Sequence, residues 1–253
     1  MSNVETFPRS NALPEPLAWP VIGGKGLAFG NSLGAEADIQ ALQRIGVKSR
    51  IARNRTIFMR GDAAEYSYKV VSGVVRLCKH MADGRRHIAQ FSFPGDFFSF
   101  MESGLHSFTA EAVTDVVVMC YPKREMENLN EERPSVRRRF LTLLSQRLCE
   151  MENHLTVLGR QTAKERVVSF VLFLAERIGL DEDDLVDVPM SRQDIADYLG
   201  LTIETVSRVL SECKRGGLLE IPNLRQIVLN DIGTLQALVD GEREFAPWER
   251  CAA

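Results

Sequence analysis

MSRQDIADYLGLTIETVSRVLSECKRGG, residues 190–217, is the stretch on which the reading of the whole chain turns. Ser191 can cap a first helix, with Asp194 three positions on beside the positive helix end. That helix is expected to turn Ile195, Tyr198 and Leu199 inward and to expose Arg192, Asp194 and Asp197. Gly200 permits a sharp turn and Thr202 can cap a second helix. Ala196, Gly200, Val206 and Val209 are the small or branched residues that two helices crossing over a short turn require. The second helix carries Thr202, Glu204, Thr205, Ser207 and Arg208 outward. Arg208 and Glu204 lie four apart on one side. An arginine can donate twice to a guanine edge, a glutamate can accept from a cytosine amino group, and Ser207 can add a hydrogen bond or a methyl contact. Ser191, Arg192, Thr202 and Thr205 are placed to hold phosphates, partly through helix N-termini. The alternative is an ordinary (i, i+4) surface pair, which stabilises a helix by a few tenths of a kcal/mol. The helix-turn-helix around Glu204 and Arg208 favours base reading, hence double-stranded DNA as partner.

The flanks extend this unit. After Gly216-Gly217, the apolar runs Leu218–Ile221 and Gln226–Leu229, separated by Pro222-Asn223, predict a hairpin wing with Arg225 near its tip. Cys213 sits beside Lys214 and Arg215. Cationic neighbours can lower a thiol pKa and make it a redox site; a thiol packed on the inner side of the helix is the other reading. Upstream, Thr162 and Glu165 form a capping-box pattern ahead of a strongly apolar helix over 163–178. The acidic stretch Asp181–Asp187 reads as a solvated loop.

A long helix is expected after Pro134, which is harmless in a first helical turn. Leu141, Leu144, Leu148, Met151, Leu155 and Leu158 fall alternately three and four residues apart, the spacing that buries a narrow stripe against a partner helix. Val136, Phe140 and Leu143 form a second stripe that can face another layer of the same chain. Two stripes on one helix favour a homodimer seam over packing within one chain. Between about 50 and 122 short β-rich runs alternate with Gly61-Asp62, Gly73, Asp83-Gly84 and Gly95-Asp96, as in a compact barrel or roll of short strands. Asp83-Gly84 is the best hairpin turn. A short amphipathic helix is expected over 34–46, and the Pro- and Gly-rich residues 1–33 are expected to be flexible.

Composition narrows the class. A net charge of −3 over 253 residues argues against coating nucleic acid by bulk electrostatics, yet leaves room for a local basic face. Five scattered cysteines without a C-x-x-C pair make a disulfide framework or zinc knuckle improbable, so they read as small core residues. No run approaches the ~20 apolar residues that span a bilayer, and the polar N-terminus does not read as a signal peptide, so a cytoplasmic protein with no membrane partner is expected. No nucleophile–base motif, phosphate-cradling Gly-rich loop or H-E-x-x-H pattern suggests an enzyme. A scaffold that uses only the seam helix remains a third class, and it implies no sequence preference on DNA.

In this order the β segment, seam helix and winged helix-turn-helix resemble the CRP/FNR superfamily of bacterial regulators over about residues 34–232. LGLTIETVSR is especially similar to FNR and FixK proteins, whose reading residues take the form E-x-x-S-R. The resemblance implies an α+β fold: a double-stranded β-roll of the cyclic-nucleotide-binding kind over 34–130, a dimerisation helix over 134–159, a winged helix-turn-helix over 162–240, and a C-terminal tail over 241–253. It implies a homodimer that reads TTGAT-N4-ATCAA through Glu204, Ser207 and Arg208 and recruits RNA polymerase, usually as an activator, in oxygen-related gene control.

The departures bear on sensing. Cyclic-nucleotide binders carry Gly-Glu and then Arg-Ser/Thr after the turn; here Pro94-Gly95-Asp96 is followed by Phe97, Phe98, Ser99 and Phe100, with no arginine before Thr114. A buried phosphate without a cationic partner is costly, so no cyclic nucleotide is expected. Cys120 stands where an FNR cluster ligand would be, but no cysteine precedes Cys78. One thiolate does not hold a four-iron cluster, so no cofactor is expected and the pattern is similar to FixK proteins. A haem sensor using His80, His87, His106 or His154, or a cysteine sensor at Cys213, is the alternative.

Overall fold

The computed structural model describes residues 36–99, 104–181 and 183–240. The expected flexible extension over 1–33 and tail over 241–253 lie outside them. Helix α1 (Glu36–Ile45) leads into eight strands: β1 (Val47–Ile51), β2 (Thr56–Phe58), β3 (Tyr66–Ser72), β4 (Val75–His80), β5 (Arg86–Ser92), β6 (Phe97–Phe98), β7 (Thr109–Ala112) and β8 (Val116–Pro122). They form two four-stranded sheets of order β1-β8-β3-β6 and β2-β7-β4-β5, with every pairing antiparallel. Alternation along the strands sends Val70, Val75, Leu77, Ala110 and Val118 into the space between the sheets, where each is buried.

Turn chemistry holds the roll together. Gly84 at φ +83° closes the β4–β5 hairpin, with Gly84 N–H donating to the Met81 carbonyl at 3.1 Å. Gly73, at φ +80°, separates β3 from β4. A Cβ at Gly73 would stand 2.3 Å from the Asp115 carbonyl oxygen, so the close approach of the two chain segments requires glycine.

Rings fill the roll's interior. Phe58 stacks on His106 with centroids 3.6 Å apart and lies 5.3 Å from Tyr68, which stacks on Phe98 at 5.1 Å. His106 Nδ1 is 2.9 Å from Ser99 Oγ. Cys120 is buried in the same layer and its thiol is pushed up to about 12 by desolvation, as befits a strand-core residue.

Helix α2 (Lys123–Glu132) runs into α3 (Pro134–Arg160), whose 27 residues reach about 40 Å at 1.5 Å per residue. Val136 and Phe140 are buried against Leu42, Phe97, Tyr121 and Met126, so this stripe does face the rest of the chain. Leu141, Leu148, Met151 and Leu155 are 58–66% exposed, while Leu144 and Leu158 are half-buried.

The remaining elements are α4 (Ala163–Ile178), β9 (Leu185–Asp187), α5 (Arg192–Leu199), α6 (Ile203–Arg215), β10 (Leu219–Asn223), β11 (Gln226–Leu229) and α7 (Ile232–Asp240). Thr162 closes the expected capping box, accepting from Glu165 N–H at 3.4 Å while Glu165 accepts from Thr162 N–H at 2.7 Å. Two expectations need correction. The acidic stretch is not all loop: β9 pairs with β11 and makes the wing a three-stranded sheet, order β10-β11-β9, because Val186 is fully buried there. The wing turn also falls later, at Leu224-Arg225. Pro222 lies within β10, an edge strand where its missing N–H removes no required ladder bond.

Candidate nucleic-acid interface

Ser191 caps α5 through a complete capping box: its Oγ accepts from Asp194 N–H at 3.1 Å, and Asp194 Oδ2 accepts from Ser191 N–H at 3.0 Å. Gly200 ends α5 in the left-handed conformation, φ +64° and ψ 37°. Arg166 of α4 secures this turn by donating from Nη1 to the Leu199 carbonyl at 3.2 Å. A guanidinium at a helix C-terminus meets the last free carbonyls and the negative end of the helix dipole.

Thr202 caps α6, its Oγ1 accepting from Thr205 N–H at 3.2 Å. Val206, Val209, Leu210 and Cys213 form the buried side of α6. Glu204, Ser207, Arg208 and Ser211 are exposed on the other side. Glu204 lies in the first turn, where backbone N–H and the Thr202 hydroxyl hold its carboxyl below the usual carboxylate range. It is thus presented as an anion, the form that accepts from a base amino group. Among the described residues no ion pair joins Glu204 to Arg208, and both residues are exposed. Ser191, Thr202 and Arg225 are exposed as well, and Thr205 is half-buried with its Oγ1 3.1 Å from Thr202 Oγ1.

Three readings of individual residues change. Asp194 and Asp197 are not on an exposed face: they point to Arg76 and Arg86 of the β-roll, and Asp194 is 4% exposed. The arginines stand more than 100 positions away in the chain, so nothing local signals them. Arg192 is half-buried with Nη1 enclosed and without a hydrogen-bond partner, and desolvation lowers its pKa. Cys213 is 2% exposed and its thiol is pushed up, because burial outweighs the nearby Lys164 charge. The electrostatic premise for a reactive thiolate at Cys213 does not hold.

Two side-chain groupings lie apart from this face. Cys78, His80 and Glu111 bring three ligand atoms within 4.8 Å of one another. The Glu111 carboxylate, however, is held by Arg76 Nη2 at 2.8 Å, so it is already committed to a guanidinium. In the β-roll, Phe97 and Phe98 follow Pro94-Gly95-Asp96, and both are buried among other rings. Asp96 is taken by Arg177 Nη2, 2.5 Å from each carboxylate oxygen. Lys69 Nζ lies over the Phe97 ring, 5.7 Å from its centroid, so the segment that follows the turn is packed with rings and a lysine.

A winged helix-turn-helix joined by a long helix to an antiparallel β-roll defines a class of DNA-binding transcription regulators. Residues 165–238 match the Crp-like helix-turn-helix domain family, and residues 48–133 match the cyclic nucleotide-binding domain family. The chain is 40% identical over 187 residues to the nitrogen fixation regulation protein FixK of Bradyrhizobium diazoefficiens, covering 73% of this chain and 79% of that one. It is 34% identical to the transcriptional activatory protein AadR of Rhodopseudomonas palustris, over 78% of this chain and 83% of that one. The solved structure of FixK2 from Bradyrhizobium japonicum superposes with a TM-score of 0.72 at 38% identity, covering 77% of this chain and 97% of that one. The chain belongs to the CRP/FNR family of transcription regulators and is of the FixK type. Among the described residues no helix is long and apolar enough to cross a membrane.

Proposed function

We propose that this chain is a transcriptional activator that binds, as a homodimer, a palindrome of the form TTGAT-N4-ATCAA, with Glu204, Ser207 and Arg208 reading bases. The observation that carries this reading is the outward face of α6, where these three polar side chains stand exposed beyond a buried apolar face. Arg208 donates to a guanine and Glu204 accepts from a cytosine amino group. Ser191, Thr202 and Thr205 hold phosphates at the two capped helix starts, and Arg192 joins them only by turning its guanidinium out of its enclosure.

The apolar stripe on α3, with Leu141, Leu148, Met151 and Leu155 exposed and Leu144 and Leu158 half-buried, supports a seam with a second copy. Aliphatic side chains repeated at this spacing are the knobs of a two-helix contact. A palindrome mirrors such a two-fold dimer, with recognition helices about 34 Å apart entering successive major grooves.

Neither cyclic nucleotide nor an iron–sulfur cluster is needed, given the ring-filled roll and the absence of cysteine before Cys78. The chain works in the cytoplasm, recruits RNA polymerase and serves oxygen-related gene control as a regulator without enzymatic activity, in keeping with its FixK-type relatives. The test is binding of purified protein to the palindrome and to a scrambled duplex at one stated salt concentration, with no nucleotide or metal added. Preference for the palindrome by at least about a hundredfold is expected; equal binding overturns the reading.

A further inference from the structure

Sheet β2-β7-β4-β5 packs its outer face on the helix-turn-helix of its own chain, and the two units share one apolar core. Phe91 of β5 lies 6.1 Å from Phe170 and 5.2 Å from Tyr198, centroid to centroid, and Phe93 lies 6.0 Å from Phe173. Two polar clamps flank these rings. On one side Arg86 donates from Nη2 to Asp194 Oδ1 at 2.5 Å and from Nε to Asp197 Oδ2 at 2.6 Å, while Arg76 bridges Asp194 and Glu111 at 3.1 and 2.8 Å. On the other, Asp96 holds Arg177, whose guanidinium also lies over Phe93 at 5.5 Å.

These charges are nearly buried, with side-chain exposures of 5–19% across both clamps. Removing one partner strands the other in a low-dielectric interface. The docked arrangement leaves Glu204, Ser207 and Arg208 exposed, so it does not cover the reading face. It also grips α5 at both turns, through Asp194 and Asp197, and α5 carries α6 across the Gly200 turn.

We propose that this contact is a preset dock: Arg86, Asp197, Asp96 and Arg177 are positioning residues that fix the recognition helix relative to the long helix before DNA arrives. A dimer must place two recognition helices one DNA turn apart at once. If each could swivel freely, that ordering would be charged against binding; a dock formed beforehand removes the cost. The roll thereby supplies, through its own side chains, the rigidity that fits a regulator acting without a small effector. This inference rests on the palindrome reading above.

The experiment uses full-length Arg86→Ala and Asp197→Asn, together with Arg86→Lys, which keeps a cation between Asp194 and Asp197. Asp194 is left intact because it also closes the α5 capping box. Each protein is titrated with the full palindrome and with a duplex carrying one half-site. Arg86→Ala and Asp197→Asn are each expected to lose about tenfold on the palindrome and less than about twofold on the half-site, since only simultaneous engagement depends on presetting. Arg86→Lys should stay within about threefold of the native protein, because the charge facing the two aspartates is kept.

Unchanged palindrome binding, tighter binding, or equal loss on both duplexes overturns the dock. Should the native protein itself fail to prefer the palindrome, the DNA reading falls, and the dock is judged separately by amide hydrogen exchange. Faster exchange confined to β5 and α5 in Arg86→Ala then supports it, and unchanged exchange overturns it.

Discussion

His154 of the long helix stacks on Tyr198 of the first helix-turn-helix helix, with ring centroids 4.1 Å apart and planes 16° from parallel. Its Nε2 is buried without a hydrogen-bond partner, and its pKa is lowered to about 4, chiefly by burial and then by the charge of His87. The contact where three parts of the chain converge is therefore built for a neutral imidazole.

Stability should depend on pH accordingly. The unfolded chain protonates His154 near its ordinary value of about 6.5, whereas the folded chain resists until about 4. The unfolded state binds the extra proton in that window, so the contribution of neutral His154 is complete above pH 6.5 and lost as pH falls toward 4. Denaturant midpoints measured across this range should fall in the native protein and flatten in His154→Phe, which keeps the ring stack. An identical slope in the variant would assign the acid sensitivity to other groups.

Arg208→Ala should weaken binding to the palindrome by about 1–3 kcal/mol and relax preference at one guanine in each half-site. Titration of duplexes substituted at each position in turn checks both effects. A loss spread evenly over all duplexes would make Arg208 a phosphate contact.

On α3, Leu148→Glu places a carboxylate in a stripe whose residue there is 58% exposed in the single chain. Sedimentation is expected to show monomers, with palindrome affinity falling together with dimer content. A dimer that survives this substitution and its counterpart Leu155→Glu would locate the seam elsewhere.

Two glycines with nearly the same φ should respond differently. Gly73→Ala meets the Asp115 carbonyl at 2.3 Å and should lose roughly 2–4 kcal/mol of stability. Gly84→Ala has nothing within 4 Å and should lose only about 1 kcal/mol, the cost of the left-handed backbone alone. Equal losses in denaturant titrations would mean that the Gly73 loop yields to the added carbon.

Cys213 should react slowly with thiol reagents while the protein is folded, and Cys213→Ser should keep native DNA binding before and after mild peroxide. Modification at the rate of a free thiol would restore a redox role for this residue.

Features governed by near neighbours were readable from the chain. The capping box at Thr162, the cap at Ser191, the turn at Gly200 and the two stripes of α3 all depend on residues within one or two helical turns. Asp194 looked like an exposed cap because its second set of partners, Arg76 and Arg86, is set by tertiary packing. Strand β9 was hidden because Leu185 and Val186 form too short an apolar run to signal a strand; pairing to β11, some 40 residues on, makes it one. The same holds for β6, two phenylalanines long, and β1, whose partner β8 lies about 70 positions away. Helix α2 escaped notice because its apolar positions are few, and α7 because it is short and relies on α4 already being in place. Residue type and spacing singled out Glu204, Ser207 and Arg208, which the fold leaves exposed; the partial enclosure of Arg192 and the burial of Cys213 could not be read, since burial belongs to the fold.

The rings inside the β-roll also bear on how fast a message can be passed. An equilibrium is shifted only by something that binds its two states unequally, and Phe58, Tyr68, Phe98 and His106 occupy the interior from which a small molecule would act. Promoter occupancy under the reading proposed here then follows the number of chains in the cell. Such a signal rises with synthesis and decays no faster than proteolysis and growth dilute the protein, giving the circuit a memory on the scale of a cell division.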